Sequence, residues 1–177
     1  GDNLRAARAA NNLGVLNLSR DKLQIAAEFF EKTISSSRAS KDSLLLGTAL
    51  VNAGYCYSRI GDGSLALSYS DEAMRIFKEL NNQNMIALAY RNYGTIEARN
   101  GRYDESFNWF EKSIRSAKAS GVEDTLAACC YEDGMTLIKA TVNMRLAAKL
   151  LNKASTIYRS IGNTNRAREA EARAAAI

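Results

Sequence analysis

The chain has 177 residues, 46% of them hydrophobic and 24% charged, with a formal net charge of +5 and neither histidine nor proline. This length suits one ordinary domain, and without proline no helix interior is broken and no proline-rich linker divides the chain. With no histidine, no glycine-rich phosphate loop, no cysteine metal spacing and no nucleophile motif, acid-base, metal and covalent catalysis have few holders, so neither an enzyme nor a cofactor is expected.

Helical periodicity runs through the sequence and no strand pattern competes with it, as in Leu65, Tyr69, Ala73, Ile76, Phe77 and Leu80. It predicts helix pairs over 3–19 with 21–38, 42–60 with 64–80, 84–100 with 104–120 and 123–140 with 143–161, then a last helix over 164–176. Turn residues support these limits: Gly61-Asp62-Gly63, Asn100-Gly101 and Gly162-Asn163 fall between helices. Asp21, Ser64, Asp104 and Asn143 stand where a side chain can accept the free N–H groups of a helix start.

A repeat underlies this order. Gly14, Gly54, Gly94 and Gly134 recur every 40 residues. Each of the first three is followed after 12 residues by a small residue and after seven more by another: Ala26 and Thr33, Ala66 and Ala73, Ser106 and Ser113. The fourth pair, Ala147 and Ala154, comes one residue late. Small residues at fixed spacing mean two helices crossing closely once per repeat. The repeats span about 7–40, 47–80, 87–120 and 127–161 in a single domain over 1–177. Both ends are expected to be cuts through a longer array, because 4–19 needs cover on its outer side and 167–177 stays helical to its last residue.

This pattern resembles the tetratricopeptide repeats over essentially the whole chain, with Gly14, Ala26, Phe30 and Thr33 in repeat one and Gly94, Ser106, Phe110 and Ser113 in repeat three at the family's small and large positions. The usual repeat is about 34 residues, so this one is similar to the long-repeat branch that includes Pins-type adaptors, kinesin light chains and prokaryotic regulators. HEAT repeats share the period but lack the glycine-to-alanine spacing. The resemblance implies an all-α, right-handed α-α superhelix whose first helices line an inner surface.

On that surface, Asn12, Asn52 and Asn92 share one repeat position and are expected to form a ladder. An amide offers a donor and an acceptor, and so can bond both backbone groups of an extended peptide without reading its sequence. The resemblance implies this role, since asparagines here clamp ligand backbones in long arrays; the bland alternative is a solvated or helix-bridging amide. Three bonds at roughly 1 kcal/mol each fall well short of the roughly 8 kcal/mol of micromolar binding, so other contacts must add to them.

Arg8, Arg59, Arg91, Arg99 and Lys139 lie on the same expected surface against a single acid, Glu132, which favours an acidic segment as ligand. Tyr55, Tyr131 and Met135 offer anchoring surfaces, with core packing as the rival role for the tyrosines. Glu132-Asp133 breaks the ladder in repeat four, either because that repeat is shifted by one residue or because it marks the groove edge.

The expected function is a protein-protein interaction scaffold that holds an acidic peptide segment in its concave groove. The alternative is a structural or sensor arm of a larger regulator, acting through self-association of its terminal repeats or intramolecular packing. Interspersed charges without a basic run argue against nucleic acid. The apolar runs are too short for a membrane span, and no signal-peptide pattern opens the chain, which suggests a cytoplasmic protein. Cys56, Cys129 and Cys130 fit buried thiols in a reducing compartment better than a disulfide framework.

Overall fold

The computed structural model describes residues 2–177, with side chains from Leu4 onward. The described residues form helices α1 (Asp2–Ser19), α2 (Leu23–Ser40), α3 (Ser43–Ile60), α4 (Gly63–Glu79), α5 (Gln83–Arg99), α6 (Tyr103–Ser120), α7 (Glu123–Lys139), α8 (Met144–Ser160) and α9 (Thr164–Ala175), with no strand among them. Every expected helix is present, with limits displaced by at most two residues.

The capping residues differ from expectation. Asn143 does cap α8, accepting from the Leu146 N–H at 3.2 Å. Ser64 lies inside α4, because Asp62 accepts from Leu65 N–H at 3.0 Å and starts the helix one residue earlier, at Gly63. Asp104 sits in the first turn of α6 behind Arg102, and Asp21 precedes Lys22; neither Arg102 nor Lys22 makes a side-chain cap bond. Asp42 caps α3 through Leu45 N–H at 3.0 Å.

Contacts divide the chain into two compact units, one ending at Met85 and the other beginning at Ile86. In the first, α1 crosses α2 so closely that a β-carbon on Gly14 would lie 2.6 Å from the Phe30 ring. Thr33 continues this crossing, its hydroxyl donating to Phe29 O at 2.9 Å and reaching Ala7 O at 3.4 Å. In α3, Gly47 makes room for Phe77 in the same way, at 2.8 Å. The Tyr57 hydroxyl donates to Glu31 Oε1 at 2.6 Å, and its ring packs on that of Tyr69 with centroids 5.9 Å apart. Burial and this carboxylate raise the Tyr57 pKa.

In the second unit, Gly94 takes the Phe110 ring, and Ser106 at the small position donates to Gly94 O at 2.8 Å. Tyr90 and Tyr93 pack on Trp109 with centroids 5.7 and 5.0 Å apart. Gly134 keeps the expected contacts, its added β-carbon falling 3.0 Å from Leu151 and 3.2 Å from Ala147 O. The fourth repeat's extra residue is absorbed in the turn between α7 and α8, where Thr141 and Asn143 are both left-handed. Helix α7 is therefore in register, and a shifted repeat does not explain Asp133.

Cys56, Cys129 and Cys130 are free and buried. Neighbours in sequence, Cys129 and Cys130 face different packing layers: Cys129 meets Ala87 and Ala117, and Cys130 joins the core of Phe110, Leu137 and Leu151. Desolvation pushes both thiols up to about 12. At that pKa the nucleophilic thiolate is scarce at neutral pH.

Candidate functional site

The first unit sets two first helices, α1 and α3, beside each other. Asn12 on α1 is exposed and Asn52 on α3 half-buried. Asn52, Tyr55 and Arg59 are separated by three and four residues, which puts them on one helix face. Tyr55 is buried with only 5% of its surface accessible, and it serves as a bed for Arg59. The guanidinium lies 5.6 Å from the Tyr55 ring centroid and donates to the Tyr55 hydroxyl at 3.4 Å.

Two carboxylates that the sequence reading did not place here meet these cations. Asp21 Oδ1, in the turn between α1 and α2, lies 2.6 Å from Arg59 Nη2. Asp42 Oδ2 lies 3.8 Å from Arg8 Nη2, with the arginine mostly in solvent. Such exposed pairs contribute only about 0.2–1 kcal/mol each. The signal for Asp21 was its place in a turn where other repeats carry Gly61 and Gly101.

The second unit treats the matching positions differently. Asn92 is wholly enclosed and Arg91 has 8% of its surface accessible. On α7, Tyr131 is buried and donates from its hydroxyl to Glu169 Oε1 on α9 at 2.6 Å, with Arg166 5.9 Å from its ring centroid. Burial, then Glu169, raises the Tyr131 pKa. Met135 is half-buried, and Arg99 and Lys139 are exposed. Both tyrosines singled out as anchors are thus largely covered by packing, while the cations at the ends of α5 and α7 are open to solvent.

Asp133 is wholly buried, and neither of its oxygens accepts a hydrogen bond. Desolvation holds its pKa well above the usual carboxylate range; the Arg91 charge opposes this shift, and Glu132 adds to it. Among the described residues, no group of three or more His, Cys, Asp or Glu side chains is arranged to hold a metal ion. No helix of the described residues is long and apolar enough to cross a membrane.

Comparison with known proteins agrees with this architecture. The tetratricopeptide repeat family model matches residues 5–79 and 45–119, well over half of the chain. A curated relative, response regulator aspartate phosphatase E of Bacillus subtilis (strain 168), is 28% identical over 78 residues, which are 44% of this chain and 20% of the relative. The solved structure of a Rap protein complexed with competence and sporulation factor superposes with a TM-score of 0.73 at 12% identity, over 93% of this chain and 52% of that one. Aspartyl phosphate phosphatase F from Bacillus subtilis gives 0.62 at 18% identity, over 97% and 49%. A kinesin light chain with TPR-like repeats from Podospora anserina gives 0.60 at 13% identity, over 98% and 95%. The chain thus spans about a fifth of the curated relative and about half of the Rap protein and phosphatase F structures. At these identities the structures speak for the fold, and the fold and the matched repeats agree: the chain belongs to the tetratricopeptide repeat family.

Proposed function

We propose that the chain is a peptide-binding interaction module whose first-helix faces hold an acidic segment. The carrying observation is the α1/α3 face of the first unit, where Asn12 and Asn52 occupy one repeat position, the first exposed and the second half-buried, flanked by Arg8 and Arg59. Amides bond the ligand backbone there, and the arginines select carboxylates and speed encounter. In the second unit, taken by itself, Arg99 and Lys139 at the ends of α5 and α7 are exposed and offer a basic surface of the same kind. Within the first unit Tyr55 contributes only its rim; within the second, Asn92 and Arg91 are covered and Tyr131 is buried, so they meet a ligand only after neighbouring side chains move aside. That a Rap protein with this fold was crystallised with competence and sporulation factor supports a ligand-holding role, without carrying that ligand to this chain.

A fluorescein-labelled peptide of alternating glutamate and leucine is a direct probe. Binding measured by fluorescence polarisation is expected to weaken about tenfold to a hundredfold in the Asn12→Ala, Asn52→Ala double variant, the loss of two hydrogen bonds worth about 1 kcal/mol each. Unchanged affinity in that variant removes the amides from the mechanism.

One observation favours a second reading, self-association. Leu13, Val15 and Leu16 on α1 are 43–46% exposed, whereas Ala53, Tyr55 and Cys56 at the same positions of the next repeat are buried. Leu13→Ser with Leu16→Ser is then expected to shift a dimer to monomer in light scattering; a wild-type chain that stays monomeric across a wide concentration range rules this reading out.

A further inference from the structure

We infer that Asp21 is an internal counter-ion that competes with the ligand's carboxylate for Arg59, and so weakens and tunes the capture of acidic segments by the first unit. This rests on the acidic-segment reading above and adds a residue that opposes it.

The backbone gives the first reason. Asp21, Gly61, Gly101 and Thr141 share one repeat position, and all four are left-handed, with φ of 59°, 109°, 76° and 58°. Glycine adopts that conformation without a steric penalty, and two of the four repeats use it. Repeat one instead carries a carboxylate.

That carboxylate does not serve the adjoining helix. The N-cap of α2 is Lys22, and no side chain caps it. The Asp21 side chain is instead directed across to α3, 2.6 Å from Arg59.

Exposure differs sharply between the partners: 70% of the Asp21 side chain is accessible against 21% for Arg59. The arginine is held by the Tyr55 ring and hydroxyl, while the aspartate sits on a turn and can turn into solvent. An arriving carboxylate therefore meets a guanidinium already oriented by Tyr55, and competes for it with the exposed Asp21. Positions equivalent to Arg59 hold Arg99 and Lys139, so the repeat keeps a cation at this place, whereas the carboxylate at the turn position is particular to repeat one.

The test uses the glutamate-leucine peptide at low ionic strength against the wild type, Asp21→Asn, Arg59→Ala and the double variant. Asparagine keeps the size and tolerates the left-handed backbone. Asp21→Asn is expected to bind about two- to fivefold more tightly, the range of an exposed ion pair, with the gain fading as salt is raised and absent when Arg59 is alanine. If the wild type binds through Arg59 while Asp21→Asn binds equally or less tightly, the competitor role is overturned and the acidic-segment reading stands. If neither the wild type nor Asp21→Asn binds the peptide, both fall together.

Discussion

Phe30→Ala is expected to lower the unfolding free energy by about 3–5 kcal/mol, measured by urea denaturation followed by circular dichroism. Phe30 is fully buried between α1 and α2 and faces a glycine, so its removal leaves a void that no adjoining side chain is placed to fill. Unlike a leucine that a neighbour can replace by changing rotamer, the ring fills the space that Gly14 vacates, and backbone cannot extend into it.

The same contact makes a second variant informative. Alanine in place of an interior helical glycine normally gains about 1 kcal/mol, yet at Gly14 the new β-carbon would stand 2.6 Å from the Phe30 ring. Overpacking costs about 1–3 kcal/mol, so Gly14→Ala should be net destabilising. Combined with Phe30→Leu, which opens the crossing, it should become neutral or favourable, giving a measurable coupling between the two sites. A Gly14→Ala protein as stable as the wild type would show that α1 and α2 do not cross this closely.

This crossing is the part of the fold most legible in the sequence. Gly14 and Phe30, and again Gly94 and Phe110, stand at positions whose spacing alone announced a small residue against a large one. Helix ends were less legible, because several polar residues compete at each turn: Asp62 outranks Ser64 by standing three residues before the N–H it accepts from, a geometric point that composition does not express. The candidate site was legible in register and obscure in exposure. Asn12, Asn52 and Asn92 repeat faithfully, yet they run from exposed through half-buried to enclosed, since covering a side chain depends on what packs above it and not on its own place in the repeat. Arg91 shows the same limit, for its charge acts on Asp133, 42 residues away in sequence, with no local pattern to link them. A signal did exist: Asp133 occupies a position that holds Leu13, Ala53 and Tyr93 elsewhere, and an acid in an apolar slot asks for a compensating group.

Asp133 supplies the second large effect. Its carboxyl is wholly enclosed, accepts no hydrogen bond among the described residues, and has a raised pKa because burial disfavours the charged form more than Arg91 restores it. The folded state therefore holds this proton more tightly than the unfolded chain, where the pKa is about 3.9. Stability from this group is fully present below that value and is lost as pH rises through the folded-state pKa, opposite in sign to an ion-paired aspartate. Asp133→Asn removes the titration while keeping the shape and a dipole towards Arg91. At neutral pH it is expected to be more stable than the wild type by at least about 1 kcal/mol, the equivalent of a single pKa unit, because only the aspartate must either ionise in the core or hold its proton there. The gain should shrink towards zero as pH approaches 4, where both proteins carry a neutral side chain. Because ordinary carboxylates push stability the other way in acid, the quantity to measure is the difference between the two proteins in urea midpoints at each pH. A difference that stays flat from pH 4 to 8, or an asparagine variant less stable at pH 7, would mean that Asp133 is ionised in the fold and that Arg91 outweighs its burial.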